Sequence, residues 1–360
     1  MRILVAGGGT GGHFFPALAT IEKLTENGHS VLFIGTQYGI EYKKRESIPG
    51  EKIFLDVSGV RGKGITGSLR GLVSIISSVK KVKNVIKMFK PDKILLFGGY
   101  VSLPAGIAGK AKNIPVIIHE QNSKPGKTNR ILNKTAFKTL IANSFCQKFF
   151  ATGILTGNPL RKQIENLKLS KIEARKELKI TEDKFTILVF GGSQGALFIN
   201  QIMRKSAPLI ENKDKIQILH ISGDGKEGKL KSIYEKLEIE SKVIPFTDEP
   251  WLFYKSADIA ISRSGALAVS ELCFFGLPTI FIPYPYAADD HQYYNVKLIE
   301  EKNGCFLFRQ NELTPEKLAI LIKKLYTDAS LIERFSTVMK SFAIPDATLR
   351  VIREIEDEGS

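Results

Sequence analysis

The chain has 360 residues, 43% of them hydrophobic and 25% charged, a globular composition that excludes overall disorder and exceeds what one hydrophobic core ordinarily spans, so two domains are expected. Three cysteines, Cys146, Cys273 and Cys305, are odd in number, far apart and without a CxxC pair, which argues against a disulfide framework or a zinc site. Residues 1–160 hold 23 Lys and Arg against 8 Asp and Glu, while residues 161–360 hold 29 of each, so the whole net charge of +15 sits in the first half and points to an anionic partner there, nucleic acid or anionic lipid.

Taken in order, the first β-branched apolar run, residues 3–6, starts at the N-terminus, which leaves no room for a signal peptide. Further runs follow at 31–34, 94–97, 116–118, 187–190, 216–221, 259–262 and 279–283. They are continuous rather than alternating, and each precedes a helix-length segment. That pattern belongs to parallel sheets covered on both faces, a doubly wound α/β architecture. The longest uncharged run, residues 94–109, is interrupted by Gly98, Gly99, Pro104 and Gly106 and falls short of the ~20 residues of a transmembrane helix. An internal echo links Leu4-Val-Ala-Gly-Gly-Gly-Thr-Gly-Gly with Leu188-Val-Phe-Gly-Gly-Ser-Gln-Gly-Ala, each a strand running into a glycine turn. The boundary between the halves is expected at Gly157-Asn-Pro-Leu-Arg161, ahead of a charged helix over 170–179. Two such sheets facing each other would leave a ligand cleft at the carboxyl ends of their strands. A last helix begins around Pro345, and the residues alone do not assign it to either half.

The first loop, Gly7-Gly-Gly-Thr-Gly-Gly-His13, contains a formal GxGxxG and could bring backbone N–H groups to an anion. A dinucleotide site would also need an acidic residue ending the second strand. Gly35-Thr36-Gln37 stands there instead, which argues against that site. The second loop, Gly191-Gly-Ser-Gln-Gly195, offers the Ser193 hydroxyl and the Gln194 amide. The third segment, Ser262 to Leu272, should begin a helix near Gly265, whose N-terminus suits a diphosphate. Glu271 in that helix is either an acceptor for both ribose hydroxyls or an ordinary surface glutamate. The pair Asp289-Asp290 lacks further carboxylates and does not make a metal site.

Of five histidines, only His13 sits directly on a glycine loop at a helix start. An imidazole titrating near ~6.5 can serve as general base toward a sugar hydroxyl. The alternative is that His13 binds phosphate or orders the loop.

Seven motifs in order carry a resemblance along the full chain: Gly8-Gly-Thr-Gly-Gly-His-Phe-Phe-Pro16, Phe97-Gly-Gly-Tyr-Val-Ser-Leu-Pro104, His119-Glu-Gln-Asn122, Gly157-Asn-Pro, Gly191-Gly-Ser-Gln-Gly195, Arg263-Ser-Gly-Ala, and Ile344-Pro-Asp-Ala347. Together they resemble the bacterial peptidoglycan glycosyltransferases that act on lipid-linked acceptors. The resemblance implies a GT-B fold of two Rossmann-like domains. It also implies inverting transfer of N-acetylglucosamine from UDP-N-acetylglucosamine to undecaprenyl-pyrophosphoryl-N-acetylmuramyl-pentapeptide, with no metal and no cofactor. It implies a lipid-facing domain of residues 1–160 plus about 342–360, a UDP-sugar domain of residues 161–341, and a peripheral position on the cytoplasmic face of the inner membrane. Carried over motif by motif, Thr10, Gly11, Gly12, Asn122, Arg161, Ser193 and Gln292 would contact the donor. Thr247 would read the uracil through its backbone, with Phe246 beneath the base. Arg263 belongs to the donor motif, and Ala266, Leu267, Ala268, Val269, Ser270 and Glu271 would hold the diphosphate and ribose. Two departures stand out: His291-Gln292 where the family often has Gln-Gln, and the bulky Phe14-Phe15 after the first loop, for which the sequence offers no account.

Within the basic half, Ile75, Val79, Val82, Ile86 and Phe89 recur at helical spacing beside Lys80, Lys81, Lys83 and Lys87. Such a helix either lies on an anionic leaflet or turns its stripe to the core. Combined with the charge asymmetry, membrane docking is the expectation. Nucleic acid is not, because the basic residues lack interleaved stacking aromatics. A UDP-sugar epimerase, or transfer to another lipid acceptor, remains the alternative chemistry for the same fold.

Overall fold

The computed structural model describes residues 1–56, 64–192 and 196–357, with the side chains of 64–73 outside that description. The chain divides into two compact units, Met1–Lys162 with Asp346–Ser360, and Gln163–Pro345.

The first unit holds β1 (Arg2–Ala6), β2 (Ser30–Thr36), β3 (Glu51–Leu55), β4 (Lys93–Leu96), β5 (Val116–Glu120), β6 (Lys138–Ile141) and β7 (Ile154–Leu155), all parallel in the order β3-β2-β1-β4-β5-β6-β7. Side chains alternate across a strand, so β1 feeds two cores at once. Ile3 and Val5 pack with Phe14 and Ile21 of the helix Gly11–Glu26 and with Val351, Ile352 and Ile355 of the last helix, Ala347–Glu356. Leu4 and Ala6 pack with Val82, Ile86 and Phe89 of the helix Gly64–Phe89. Burial on both faces explains the unbroken apolar runs. The last helix therefore belongs to the first unit. Lys93 Nζ fastens its end by donating to the carbonyls of Ile355 (2.6 Å) and Asp357 (2.7 Å).

The same packing corrects one expectation. The stripe of Val82, Ile86 and Phe89 is buried and Val79 packs on it, so this face of the helix is core rather than membrane surface. Lys80, Lys81 and Lys87 remain on the exposed side, with Ile76 and Met88 beside them.

The second unit holds β8 (Phe185–Phe190), β9 (Ile216–Ile221), β10 (Glu240–Ile244), β11 (Ile259–Ser262), β12 (Thr279–Phe281) and β13 (Phe306–Leu307), parallel in the order β10-β9-β8-β11-β12-β13. Its helix Lys171–Glu177 starts at a capping box in which Ser170 accepts from the Glu173 N–H and Glu173 accepts from the Ser170 N–H. In each sheet the strand order reverses once, between β1 and β4 and between β8 and β11. The loops leaving those strands diverge and open a crevice at the carboxyl edge, the ordinary ligand position in open α/β sheets.

Candidate functional site

In the first unit, β1 runs into the glycine loop and the helix Gly11–Glu26, with Thr10 at the N-cap in extended conformation (φ −136°). The Thr10 carbonyl accepts from the His13 and Phe14 N–H groups at 3.2 and 3.0 Å, which winds Gly11, Gly12 and His13 into the first turn. The partner loop after β4 passes against it. Gly98 and Gly99 take φ of +92° and +80°, and a Cβ on Gly99 would stand 2.5 Å from the Gly8 carbonyl oxygen. Glycine is needed there for both reasons. A Cβ on Gly98 would lie 3.2 Å from His13 Cε1, so this loop forms a wall along the imidazole.

Beneath the glycine loop lies Glu41, fully buried. Its carboxylate accepts from the Gly9 N–H (3.0 and 2.9 Å), the Thr36 N–H (3.0 Å) and the Thr36 hydroxyl (2.6 Å). The Gly9 amide is thus spent on the protein, and a carboxyl group underlies the loop. Uncharged hydroxyls suit this position better than a phosphate. The formal GxGxxG is therefore not a diphosphate cradle.

The carboxyl end of β5 supplies a second polar cluster. Glu120, buried, accepts from the N–H of Asn122 (2.9 Å), the Asn122 amide (3.2 Å), the Gly126 N–H (3.0 Å) and the Asn129 amide (2.8 Å). Asn122 is held half-buried at the strand end by this carboxylate. His13 Nδ1 lies 2.9 Å from Gln121 Oε1, Gln121 Nε2 lies 3.0 Å from His119 Nδ1, and His119 Nε2 lies 2.9 Å from the Gly157 carbonyl oxygen. Burial pushes the His119 pKa down to about 4, against the opposing pull of the Gly157 carbonyl, and a charged His13 would lower it further. The Arg161 guanidinium sits 4.8 Å over the Phe15 ring, while Phe14 is fully buried against Phe33 at 6.4 Å. That accounts for the bulky pair: Phe14 fills the core and Phe15 carries Arg161.

In the second unit the helix Ala266–Phe275 starts at Gly265. Ala266, Leu267 and Ala268 precede its first intrahelical donor, because the Val269 N–H already bonds the Gly265 carbonyl at 3.0 Å. Three amides are thus directed out of the helix end, and Val269 instead turns its side chain into the core. The Ser270 hydroxyl donates back to Ala266 O at 3.0 Å. Of the segment expected to hold a diphosphate, the first three residues are the ones whose amides the helix leaves outward. Glu271 is 3% exposed, which removes the surface-glutamate reading, and its Oε2 accepts from the Tyr254 hydroxyl at 2.8 Å.

Arg263 is also buried, and it donates to the carbonyls of Ile282 (2.9 Å) and Pro283 (2.9 Å) and to Gln310 Oε1 (2.6 Å). Burial lowers its pKa to about 10. These bonds make it a brace for the loop after β12. The Gln292 carbonyl accepts from the Tyr284 N–H at 2.9 Å, and His291 Nδ1 donates to the Ala288 carbonyl at 2.8 Å. Asp290 pairs with Arg309 at 2.6 Å, and no cluster of three metal-ligating residues occurs among the described residues. Thr247 lies in the loop after β10, where its hydroxyl accepts from the Glu249 N–H at 3.0 Å, and Phe246 beside it is exposed. Ser193 and Gln194 lie outside the described residues.

Two family models meet this arrangement. The glycosyltransferase family 28 N-terminal domain matches residues 3–141, and the family 28 C-terminal domain matches residues 186–348. The chain belongs to glycosyltransferase family 28. This family 28 chain is 40% identical to a protein of Aquifex aeolicus, over 98% of its own length and 99% of the relative's. It is 37% identical to one of Geobacter metallireducens, over 99% and 98%. Both relatives are named UDP-N-acetylglucosamine–N-acetylmuramyl-(pentapeptide) pyrophosphoryl-undecaprenol N-acetylglucosamine transferase. It also resembles the crystal structure of Acinetobacter baumannii MurG, at 28% identity and a TM-score of 0.81 with 99% of each chain covered. The family 28 architecture is that of a GT-B glycosyltransferase.

Several residues that hold the candidate site together gave no signal of their own in the sequence. Glu41 stands in the charged run Glu41-Tyr-Lys-Lys-Arg-Glu46 and reads as surface. Asn295, whose amide donates to the Ser264 carbonyl at 2.9 Å, looks like any helical asparagine. Gln121 was visible as a letter of the His119–Asn122 motif but had no role until His13 and Gly157 were placed around it.

Proposed function

We infer that this chain transfers N-acetylglucosamine, with inversion, from UDP-N-acetylglucosamine to undecaprenyl-pyrophosphoryl-N-acetylmuramyl-pentapeptide. The observation that carries this reading is the 40% identity along nearly the whole chain with a transferase bearing that name, together with the His13 imidazole in the first turn after the β1 glycine loop. In the reaction, His13 takes the proton from an acceptor hydroxyl as its oxygen bonds to the anomeric carbon. The bond from that carbon to UDP breaks, and UDP leaves with the electron pair. The amides of Ala266, Leu267 and Ala268 and the dipole of their helix meet the charge on the leaving diphosphate. Glu271 accepts from the ribose hydroxyls, and the loop carrying Thr247 and Phe246 meets the uracil. By the motifs that carry the resemblance, Thr10, Gly11, Gly12, Asn122 and Arg161 of the first unit and Ser193 and Gln292 of the second are assigned to contacts with the donor.

The first unit meets an anionic membrane, supported by the excess of 15 positive charges within residues 1–160. Each lysine near such a surface is worth about 1 kcal/mol. Sedimentation with anionic but not zwitterionic vesicles, weakened by salt, is the expected behaviour. A peripheral position on the cytoplasmic face belongs to the same reading.

The test is UDP release from UDP-N-acetylglucosamine with a short-chain analogue of the muramyl-pentapeptide lipid. Acceptor-dependent release supports the reading. Turnover of the UDP-sugar without acceptor would replace it by an epimerase-type reaction, and release with another lipid only would change the acceptor.

A further inference from the structure

Two acceptor-only groups fix the direction of every hydrogen bond running from the end of β7 to His13. The Gly157 carbonyl can only accept, so His119 Nε2, 2.9 Å away, carries a proton. His119 is fully buried and neutral, which leaves Nδ1 as a lone-pair acceptor. That nitrogen faces Gln121 Nε2 at 3.0 Å, and the same amide nitrogen also faces the His119 carbonyl oxygen at 3.1 Å. Rotating the Gln121 amide by half a turn would set its oxygen against two acceptors at once. The amide orientation is therefore fixed by chemistry, and Gln121 Oε1 is what reaches His13 Nδ1 at 2.9 Å.

We propose that Gln121 and His119 are positioning residues that hold His13 in the Nδ1–H tautomer, so that its Nε2 carries the lone pair that accepts the acceptor proton. A histidine side chain in water favours the opposite tautomer, so the relay selects against the default. It also differs from a carboxylate orienter, since Gln121 is neutral and leaves the imidazolium uncompensated. Gly98 lies along the Cε1–Nδ1 edge of the ring, where an added Cβ would stand 3.2 Å from Cε1 and 3.3 Å from Nδ1.

The proposal rests on the reading of His13 as general base, and the tests separate the two. In protein labelled with 15N-histidine, the His13 resonances, assigned by their loss in His13→Ala, are expected to show a protonated Nδ1 and an unprotonated Nε2 above the titration of the ring. An Nε2–H tautomer in the unaltered protein would overturn the relay whatever any variant does. Gln121→Leu, confirmed folded by its melting temperature and by unchanged UDP affinity, is expected to shift His13 toward Nε2–H. It should lower kcat about 10- to 100-fold, the range for losing an orienting partner, with KM for both substrates unchanged. Unchanged kcat and tautomer in that variant would also overturn it. If His13→Ala keeps full transfer while the Nδ1–H tautomer is observed, the base reading fails and the hydrogen-bond chain stands as structure alone; that outcome overturns the catalytic use of the relay.

Discussion

Replacing Glu41 tests whether the first glycine loop is held from below. In Glu41→Ala the N–H and hydroxyl of Thr36 lose their acceptor in a buried site, and the Gly9 N–H loses its acceptor in a part-buried one. Each donor stranded in the buried site costs about 1–3 kcal/mol, so the first unit should lose about 2–6 kcal/mol, with the lower end reached if water enters. A unit of this size shifts its melting point by about 2–4 °C per kcal/mol, and the two units need not melt together. Calorimetry should therefore show one transition falling by roughly 5–20 °C while a second, raised by UDP, stays in place. Glu41→Gln is the informative control. Its amide oxygen can occupy the Oε1 position, where Gly9 and both Thr36 donors converge, so most of the stability should return. What it removes is the charge. If the carboxylate keeps phosphate off the loop, Glu41→Gln should bind free phosphate or UDP at least as well as the unaltered protein. An unchanged melting profile for Glu41→Ala, with transfer retained, would refute the account of the loop.

Three further outcomes are expected. Gly99→Ala should cost about 1–3 kcal/mol in backbone strain at φ +80°, before the approach to the Gly8 carbonyl is counted, and should lower kcat more than it weakens donor binding, as read by steady-state kinetics and UDP titration. Glu271→Gln should weaken UDP binding about 10- to 100-fold in a calorimetric titration, from the loss of charge-assisted bonds of about 1.5–3 kcal/mol, with the fold intact. The buried histidines set a pH dependence of stability. Burial lowers His119 to about 4 and His220 to about 3 from an ordinary 6.5, so the unfolded chain binds more protons between those values. Their contribution is complete above pH 6.5 and is lost as the pH falls toward 4 and 3, at up to about 1.4 kcal/mol per pH unit for each residue. Denaturant melts from pH 7 to 4 should show this slope, and His220→Gln should flatten it.

What the sequence disclosed, and what it withheld, divide along one physical line. The central strands β1, β4, β8 and β11 and both crevice loops were legible, because doubly covered strands must be continuously apolar and tight turns must carry glycine. The edge strands β3 and β10 were not read, since Glu51, Lys52, Glu240 and Lys242 give an edge the charged look of a loop. The helix Gly64–Phe89 shows a subtler limit. An apolar stripe beside lysines has the same period whether it faces lipid or a sheet, and only the strands that Val82 and Ile86 meet decide it. Polar satisfaction is harder still. Glu41 looked like surface because its partners, Gly9 and Thr36, come from two other segments. Gln121 acquires a direction only through His13, His119 and Gly157, which chain folding brings together from three strand ends. Motifs name the groups that touch substrate, since those recur locally. The groups that aim them are specified by donors and acceptors that must pair somewhere in the interior, and in this site that pairing sets the Gln121 carbonyl against His13 Nδ1.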